Sequence, residues 1–398
     1  MTFTKRNKAI HIDTEALSSL ALVQAGLIHP VDGLMNKQTS QEVDKNKVYK
    51  DMPLPFSFIL APSGKRNFEV ISSLKAGEIV DLINGERKVG ELTVEETFEI
   101  DPEQRIFNIF GTNDTLHPGV KNTINRLGKM AVSGKYIVKY LPVEDNIKKV
   151  KNTIKETGAK KITAMMLAAN PFNRVHERII RQKLNHSDLV ILFLRKPFNN
   201  DGLSYNIRSK ALEKLIDKFL PKNKVIVVPL ENTYIFAGYN ELILDAIVAK
   251  NYGCSELTVG KNHGGLSVYY SDNEINTIFN ECEYGNLSIN IEVVEEYVYC
   301  NICKTLVSSE TCPHGSHHHI KYNSNAILKL LENGIIPPTI LVRKEVSSYI
   351  LSHLFPNRFE NVQNLYYDLF PNSGLLEDQT DESFYIELIN LYQTSSLT

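Results

Sequence analysis

No tryptophan occurs among the 398 residues, an absence that by itself excludes no fold. Other scarcities say more. The chain has no run of about 18 apolar residues, so no membrane-spanning helix is expected. Its N-terminus, MTFTKRNKAIHID, lacks the apolar core of a secretory leader, and a cytoplasmic location is expected. Net charge is nearly absent: 44 basic side chains stand against 46 acidic ones, a formal −2. Such a balance argues against bulk attraction to nucleic acid or a membrane surface, leaving small molecules and proteins as partners. Cysteine is sparse, with five in all, yet Cys300, Cys303 and Cys312 are clustered. That clustering, with no leader expected, points to a metal site rather than a disulfide framework. Neither internal repeats nor low-complexity tracts are evident.

What is present is an ordinary globular composition, 42% hydrophobic and 23% charged, long enough for two or three domains. Residues 1–150 show short β-type runs at Phe56–Ala61, Gly90–Val94 and Ile106–Phe110, with turns at Ser63-Gly64 and Asn84-Gly85. One amphipathic helix is expected near Thr14–Ala25, capped by Asp13 or Thr14. This reads as a mainly-β domain. A charged helix, Pro142–Lys160, leads out of it. Residues 151–330 then alternate: strand Lys161–Ala169, helix Phe172–Leu184, strand Asp188–Leu194, helix Ile207–Phe219, strand Lys224–Pro229, helix Asn240–Asn251, strand Glu256–Val259. Strands separated by helices of this length imply a parallel sheet covered on both faces. The alternation is interrupted by a Cys/His-rich segment at 299–319, followed by a helix at Ser324–Asn333. Residues 331–398 read as a helical C-terminal region.

Open α/β sheets bind ligands beyond the carboxyl ends of their strands. Two stretches satisfy that rule. Met165–Glu177, MMLAANPFNRVHE, runs from strand through Asn-Pro into a helix carrying Arg174 and His176. Free N–H groups at that helix N-terminus would suit a phosphate, and His176 could donate to a phosphoryl oxygen. The plain alternative is a βα junction with a surface histidine. Gly260–Gly265, GKNHGG, supplies Gly260, Lys261 and His263 after another strand, with glycines permitting close backbone approach. Its plain alternative is a glycine-rich turn. Cys300, Cys303 and Cys312, with His314 or His317 as a fourth ligand, suit a tetrahedral structural zinc ion. Cys254 and Cys282 read as small core residues, and His29 and His117 as turn-stabilising ones.

Taken in order, these strings resemble bacterial-type ATP sulfurylase (sulfate adenylyltransferase). LVQAGLIHPVDGLM, PLPFSFILAPSG, VGELTVEETF and FGTNDTLHPGV are similar to family strings of the N-terminal half. In the second half NPFNRVHE stands at a family Gln-x-Arg-Asn-Pro-x-His-Arg-Ala-His-Glu, AGYNELILDAIVAKNYGC at Ala-Gly-Pro-Arg-Glu-Ala, VGKNHGG at Val-Gly-Arg-Asp-His-Ala-Gly, and PPTILVRKEV at Pro-Pro-x-x-Phe-Ser-Arg-Pro-Glu-Val. The resemblance implies a PUA-like N-terminal module, a Rossmann-like nucleotidyltransferase domain with a small zinc-binding insertion, and a homo-oligomer. It also implies ATP accompanied by magnesium, and sulfate or another small oxyanion, as ligands. By position it assigns nucleotide binding to Asn170, Asn173, His176, Gly260, Lys261 and His263, and catalysis to Arg174, His176 and His263. Arg343 matches a family arginine; a helix-start salt bridge is the alternative.

The departures are concentrated. Leu167 and Ala169 stand where the family has the sulfate-holding Gln and Arg, Asn173 where it has a histidine, and Asn240 where it has an arginine. Lys261-Asn262 replaces Arg-Asp, and Leu328 stands where an arginine is expected. A sulfate dianion leaving water needs charge-assisted donors, which Leu and Ala do not supply. The expected function is adenylyl transfer from ATP with impaired or altered acceptor use. Two alternatives stand beside it. One is a non-catalytic nucleotide-binding homologue; the other is transfer to a less charged acceptor, with Leu167 and Ala169 lining an apolar pocket.

Overall fold

The computed structural model describes residues 7–196, 202–231, 240–260, 287–321, 324–370 and 378–394. By its internal packing the chain divides into two units, Met1–Ala164 with Pro229–Val293, and Met165–Val228 with Val294–Thr398.

In the first unit, strands β1 (Lys8–His11), β4 (Leu60–Pro62), β5 (Ile79–Asn84), β6 (Arg87–Glu99) and β7 (Leu127–Val138) form a sheet of order β1-β5-β6-β7-β4, beside a small ribbon of β2 (Val48–Tyr49) and β3 (Met52–Pro53). The long strands alternate as a one-sided sheet requires: Leu92, Val94 and Phe98 of β6 are buried, while Glu91, Thr93, Glu95 and Glu99 are exposed. The expected turn at Asn84-Gly85 joins β5 to β6, with Gly85 at φ 60, the left-handed backbone that this two-residue hairpin demands. Asp13 caps helix Thr14–Gln24 by accepting from Ala16 N at 2.8 Å. His117 caps another helix, its Nδ1 accepting from Gly119 N at 3.1 Å.

Two β expectations in this unit are corrected. Ile106–Phe110 is the end of a helix, Pro102–Phe110, capped by Asp101 and closed at Gly111 in the left-handed region. Its buried residues Arg105, Ile106, Ile109 and Phe110 follow a helical spacing that a five-residue window conceals. Within Phe56–Ala61 only Leu60 and Ala61 join a strand. The module also carries helices Lys37–Asn46, Lys65–Ser72 and Pro118–Ile124, beyond the single one expected.

The second sheet holds β8 (Ile162–Leu167), β9 (Leu189–Lys196), β10 (Val225–Glu231), β11 (Glu256–Gly260) and β12 (Asn290–Val294), in the order β10-β9-β8-β11-β12. Its parallel core follows from the alternation: helices Arg174–Leu184 and Tyr205–Phe219 join β8, β9 and β10, and Glu241–Asn251 leads to β11. Leu189–Leu194 of β9 are wholly buried, as a strand covered on both faces must be. The strand order reverses at β8, which makes its carboxyl end the topological switch point.

A third, antiparallel sheet of order β14-β13-β15 is built from β13 (Tyr297–Cys300), β14 (Thr305–Ser308) and β15 (His319–Ile320). Helices Ser324–Glu332, Lys344–Leu354, Val362–Leu369 and Asp381–Thr394 follow, with Lys344–Leu354 packed on Tyr205–Phe219 and on Asp381–Thr394. No helix among the described residues is long and apolar enough to cross a membrane.

Candidate functional site

β8 ends at Leu167, and the chain turns through Ala168–Asn173 into helix Arg174–Leu184. Ala169 sits at φ 48, a conformation that costs a non-glycine residue of order 1 kcal/mol and persists only where neighbours impose it. They are visible here. Arg208, buried in the first turn of helix Tyr205–Phe219, donates to the Ala168 carbonyl and, through Nε, to Leu203 O at 3.1 Å. Asn170 Oδ1 accepts from Leu203 N at 3.0 Å, and its amide packs so closely on Gly202 that a Cβ there would lie 2.3 Å from Nδ2. The Asn170-Pro171 peptide is cis.

Sequence reasoning missed Arg208. The signal was present: Arg208, Ala211, Leu212 and Leu215 share one helical stripe, so a charge stood in an apolar row. Its Nη2 is buried and has no hydrogen-bond partner among the described residues.

The helix N-terminus departs from expectation. Asn173 Oδ1 accepts from Val175 N at 3.0 Å and from His176 N at 3.2 Å, while His176 Nδ1 accepts from Asn173 N at 3.1 Å. Arg174 N donates to Leu341 O at 2.8 Å. The free N–H groups expected here are therefore all taken. The cause is Asn173, a strong N-cap residue at a position where the resembling family has histidine.

His176 remains chemically interesting. Although the residue as a whole is only partly buried, the protein packed around the ring pushes its pKa down to about 4. It is thus neutral at pH 7, and because Nδ1 is the acceptor, the proton resides on Nε2. Among the described residues nothing accepts from Nε2. The unfolded histidine, with its ordinary pKa of 6.5, binds the proton more readily than the folded one. Stability is therefore full above pH 6.5 and falls as the pH drops towards 4, by about 2–3 kcal/mol. The protonated ring would also lose its bond from Asn173 N. Carbon-13 histidine titration should show this imidazole moving near pH 4; a midpoint at 6 or above would refute the assignment.

Arg174 is tied inward. Its Nε donates to Thr339 O at 3.1 Å and its Nη1 lies 3.6 Å from Glu177 Oε2. Glu177 is 4% exposed and receives Arg343 through both oxygens, at 2.6 and 2.7 Å, and Arg181 at 2.9 Å. Burial alone would raise its pKa, but the Arg343 and Arg181 hydrogen bonds outweigh this and hold it ionised. Arg343 thus forms the salt bridge of the plainer reading, with its guanidinium 3.8 Å from the Phe219 ring centroid. Glu177→Ala should cost about 2–4 kcal/mol in denaturant unfolding, because it strands arginines that only partly reach water. A loss below 0.5 kcal/mol would show that the cluster is not cohesive.

Leu167 and Ala169, 5% and 2% exposed, belong to the hydrophobic core of the second unit with Phe172, Ile179 and Leu192. Among the described residues both are packed into that core rather than exposed. Asn240, where an arginine was expected, donates from Nδ2 to Asn108 O and Ile109 O, both at 3.2 Å. Gly260 ends β11 with open space where a Cβ would stand. Lys261, His263 and Cys282 lie outside the described residues. Cys254 is a buried core thiol, as expected, with its pKa pushed up to about 12 by burial.

The fourth partner of the three thiols is His314. Its Nδ1 lies 3.4 Å from Cys300 Sγ, 3.3 Å from Cys303 Sγ and 3.5 Å from Cys312 Sγ, and the Cys303 and Cys312 sulfurs are 3.9 Å apart. A tetrahedron with bonds of about 2.0–2.3 Å has edges of roughly 3.5–3.8 Å, so the donor set fits a four-coordinate ion. His317, the other candidate, belongs to the 3₁₀ turn Ser316–His318. There its ring folds back over Gly315 and packs on His318 at 4.0 Å, away from the thiols. The β13–β14 turn aids the site: Cys303 N donates to Cys300 Sγ at 3.5 Å, and Lys304 adopts φ 54.

An ATP-sulfurylase family profile matches residues 143–353, and a PUA-like domain profile matches residues 2–139. The chain belongs to the ATP-sulfurylase family. Sulfate adenylyltransferase of Persephonella marina is 30% identical over 359 residues, which cover 87% of this chain and 91% of that protein. Sulfate adenylyltransferase of Chloroflexus aurantiacus is 28% identical over 350 residues, covering 86% and 90%. Among solved structures, the hexameric APS kinase from Thiobacillus denitrificans shares the fold, with a TM-score of 0.64 at 15% identity over 86% of this chain. The match spans 62% of that longer chain. Within the ATP-sulfurylase family, then, this member has a PUA-like module, a parallel-sheet nucleotidyltransferase domain and a helical C-terminus.

Proposed function

We propose that this protein binds ATP with magnesium and transfers the adenylyl group to a small oxyanion, with sulfate a poor acceptor. The observation that supports this best is the neutral His176, its Nε2–H unclaimed among the described residues, in the first turn of the helix that follows the strand where the sheet order reverses. In this reading the acceptor oxygen attacks the α-phosphorus in line and pyrophosphate leaves; no side chain becomes covalently attached. His176 Nε2–H and Asn170 Nδ2 would donate to phosphoryl oxygens; Gly260, Lys261 and His263 are the further nucleotide-binding residues that the family likeness implies. Asn173 would act through the cap that holds the His176 ring, and Arg174 through its field. Positioning and charge stabilisation would carry the reaction. Magnesium would arrive with ATP, since the turn Ala168–Asn173 contains no carboxylate. Cys300, Cys303, Cys312 and His314 would hold zinc in a structural role, with no position left for chemistry.

The closed helix cap favours a second reading, a non-catalytic homologue that retains a nucleotide. One sequence of assays separates them. Calorimetry with ATP-magnesium should give binding that weakens about tenfold in His176→Ala, checked by circular dichroism for an intact fold. Pyrophosphate release is then measured with sulfate and with molybdate. Binding without any release would support the non-catalytic reading, and absence of both would reject the two together.

A further inference from the structure

The second unit contains a cavity of about 670 Å³ that the adenylyl-transfer reading does not use. Its walls are the segment Gly334–Ile340, the face of helix Asp381–Thr394 carrying Leu388 and Ile389, and Phe359. That volume is typical of small-molecule sites, which are mostly apolar with a few convergent polar groups. Two lining residues, Ile335 and Tyr392, are 52% and 60% exposed, apolar surface that an occupant would cover.

The charge of the cavity is one-sided. Among the described residues no acidic side chain lines it, and Arg358 is the one cation on its wall. Among the described residues no carboxylate pairs with Arg358, whose Nη1 makes only two long bonds, 3.3 Å to Gly334 O and 3.3 Å to Tyr385 Oη. Since Tyr385 Oη accepts from Arg358, its own hydroxyl proton remains to be donated. A guanidinium fork and a phenolic O–H therefore converge at one end of an apolar chamber. A guanidinium prefers a carboxylate, which it can grip through two parallel bonds.

We propose that this cavity is a binding site for a small amphipathic carboxylate, an apolar chain or ring with its acid group at Arg358 and Tyr385. The bound molecule would also reach the turn after β8 indirectly. The wall residue Thr339 accepts from Arg174 Nε at 3.1 Å, and Leu341, just beyond the wall, accepts from Arg174 N at 2.8 Å.

The full chain is titrated by calorimetry with octanoate, kept far below its micelle-forming concentration, and with octylammonium. One equivalent of octanoate should bind at least tenfold more tightly than octylammonium. Arg358→Glu, a change at an exposed position, should reverse that preference. Leu388→Trp, which fills the chamber, should abolish binding of both. Amide exchange at Ile335–Ile340 should slow when octanoate is present. The proposal is overturned if octanoate does not bind the parent chain, or if the two probes bind equally. It is likewise overturned if sedimentation shows a dimer, broken by Tyr392→Glu, that excludes octanoate; the groove would then belong to a second copy. None of these readouts depends on ATP or pyrophosphate, so the adenylyl-transfer reading stands or falls separately.

Discussion

Pyrophosphate release with sulfate should run two to four decades below that of the Persephonella marina relative assayed alongside. The magnitude follows from what Leu167, Ala169 and Asn240 cannot do. An acceptor dianion gains roughly 1.5–3 kcal/mol from each charge-assisted hydrogen bond, so losing two arginine contacts removes about 3–6 kcal/mol. At ~1.4 kcal/mol per tenfold, that is two to four orders of magnitude. The obvious rescue, Leu167→Gln with Ala169→Arg, should fail, for a reason found only in the structure. Both positions lie in the core of the second unit, and Ala169 is held at φ 48. An arginine there would bury an unpaired charge on a strained backbone, and the double variant should lose at least about 3 kcal/mol of stability. Turnover of sulfate by the parent chain at the relative's rate would refute the acceptor argument. So would a double variant that is both stable and faster.

The parallel sheet was legible in the sequence because its signal is local and long. Leu189–Leu194 form an uninterrupted apolar run, and helices of ten or more residues separate the strands. The grouping of the three thiols was legible because their spacing is itself the signal; what spacing left open was the histidine that joins them. That choice depended on the 3₁₀ turn that carries His317 away while His314 remains beside Cys312. Ile106–Phe110 was misread because five residues cannot separate period 2 from period 3.6. The Asp101-Pro102 start and Gly111 stop were present in the chain. The turn after β8 was read correctly as a strand-to-helix junction and incorrectly as an open anion cradle. Asn173 and His176 are residues of two uses, and a capping box consumes in the cap the groups that a ligand would need. Arg208 on Ala168 and Arg343 on Glu177 are pairings separated by 40 and 166 residues, so local pattern could mark the charges but not name their partners.

Removing a metal held by these donors should have the second large effect, and a local one. The sheet of β13, β14 and β15 is small: β15 contributes two residues, pairing Tyr299 with Ile320 and Cys300 with His319. Three short strands bury too little apolar surface to be stable alone. The four donors of Cys300, Cys303, Cys312 and His314 tie the β13–β14 turn to the segment leading into β15, so a bound ion would serve as the sheet's missing core. Structural zinc contributes about 10–16 kcal/mol to the folding of small metal-dependent peptides, far more than this sheet requires. Protein purified without added metal should therefore carry about one zinc equivalent. A strong chelator should unfold residues 297–320, seen as rapid amide exchange there, while Leu189–Leu194 of β9 stay protected. Cys303→Ser, which replaces an exposed thiol with a near-isostere, should reproduce that pattern without chelator. The loss should also weaken the grip of Leu306 O on Arg178, and with it the outer face of helix Arg174–Leu184. Protein with no bound metal, and with exchange in 297–320 indifferent to chelator, would reject the structural ion.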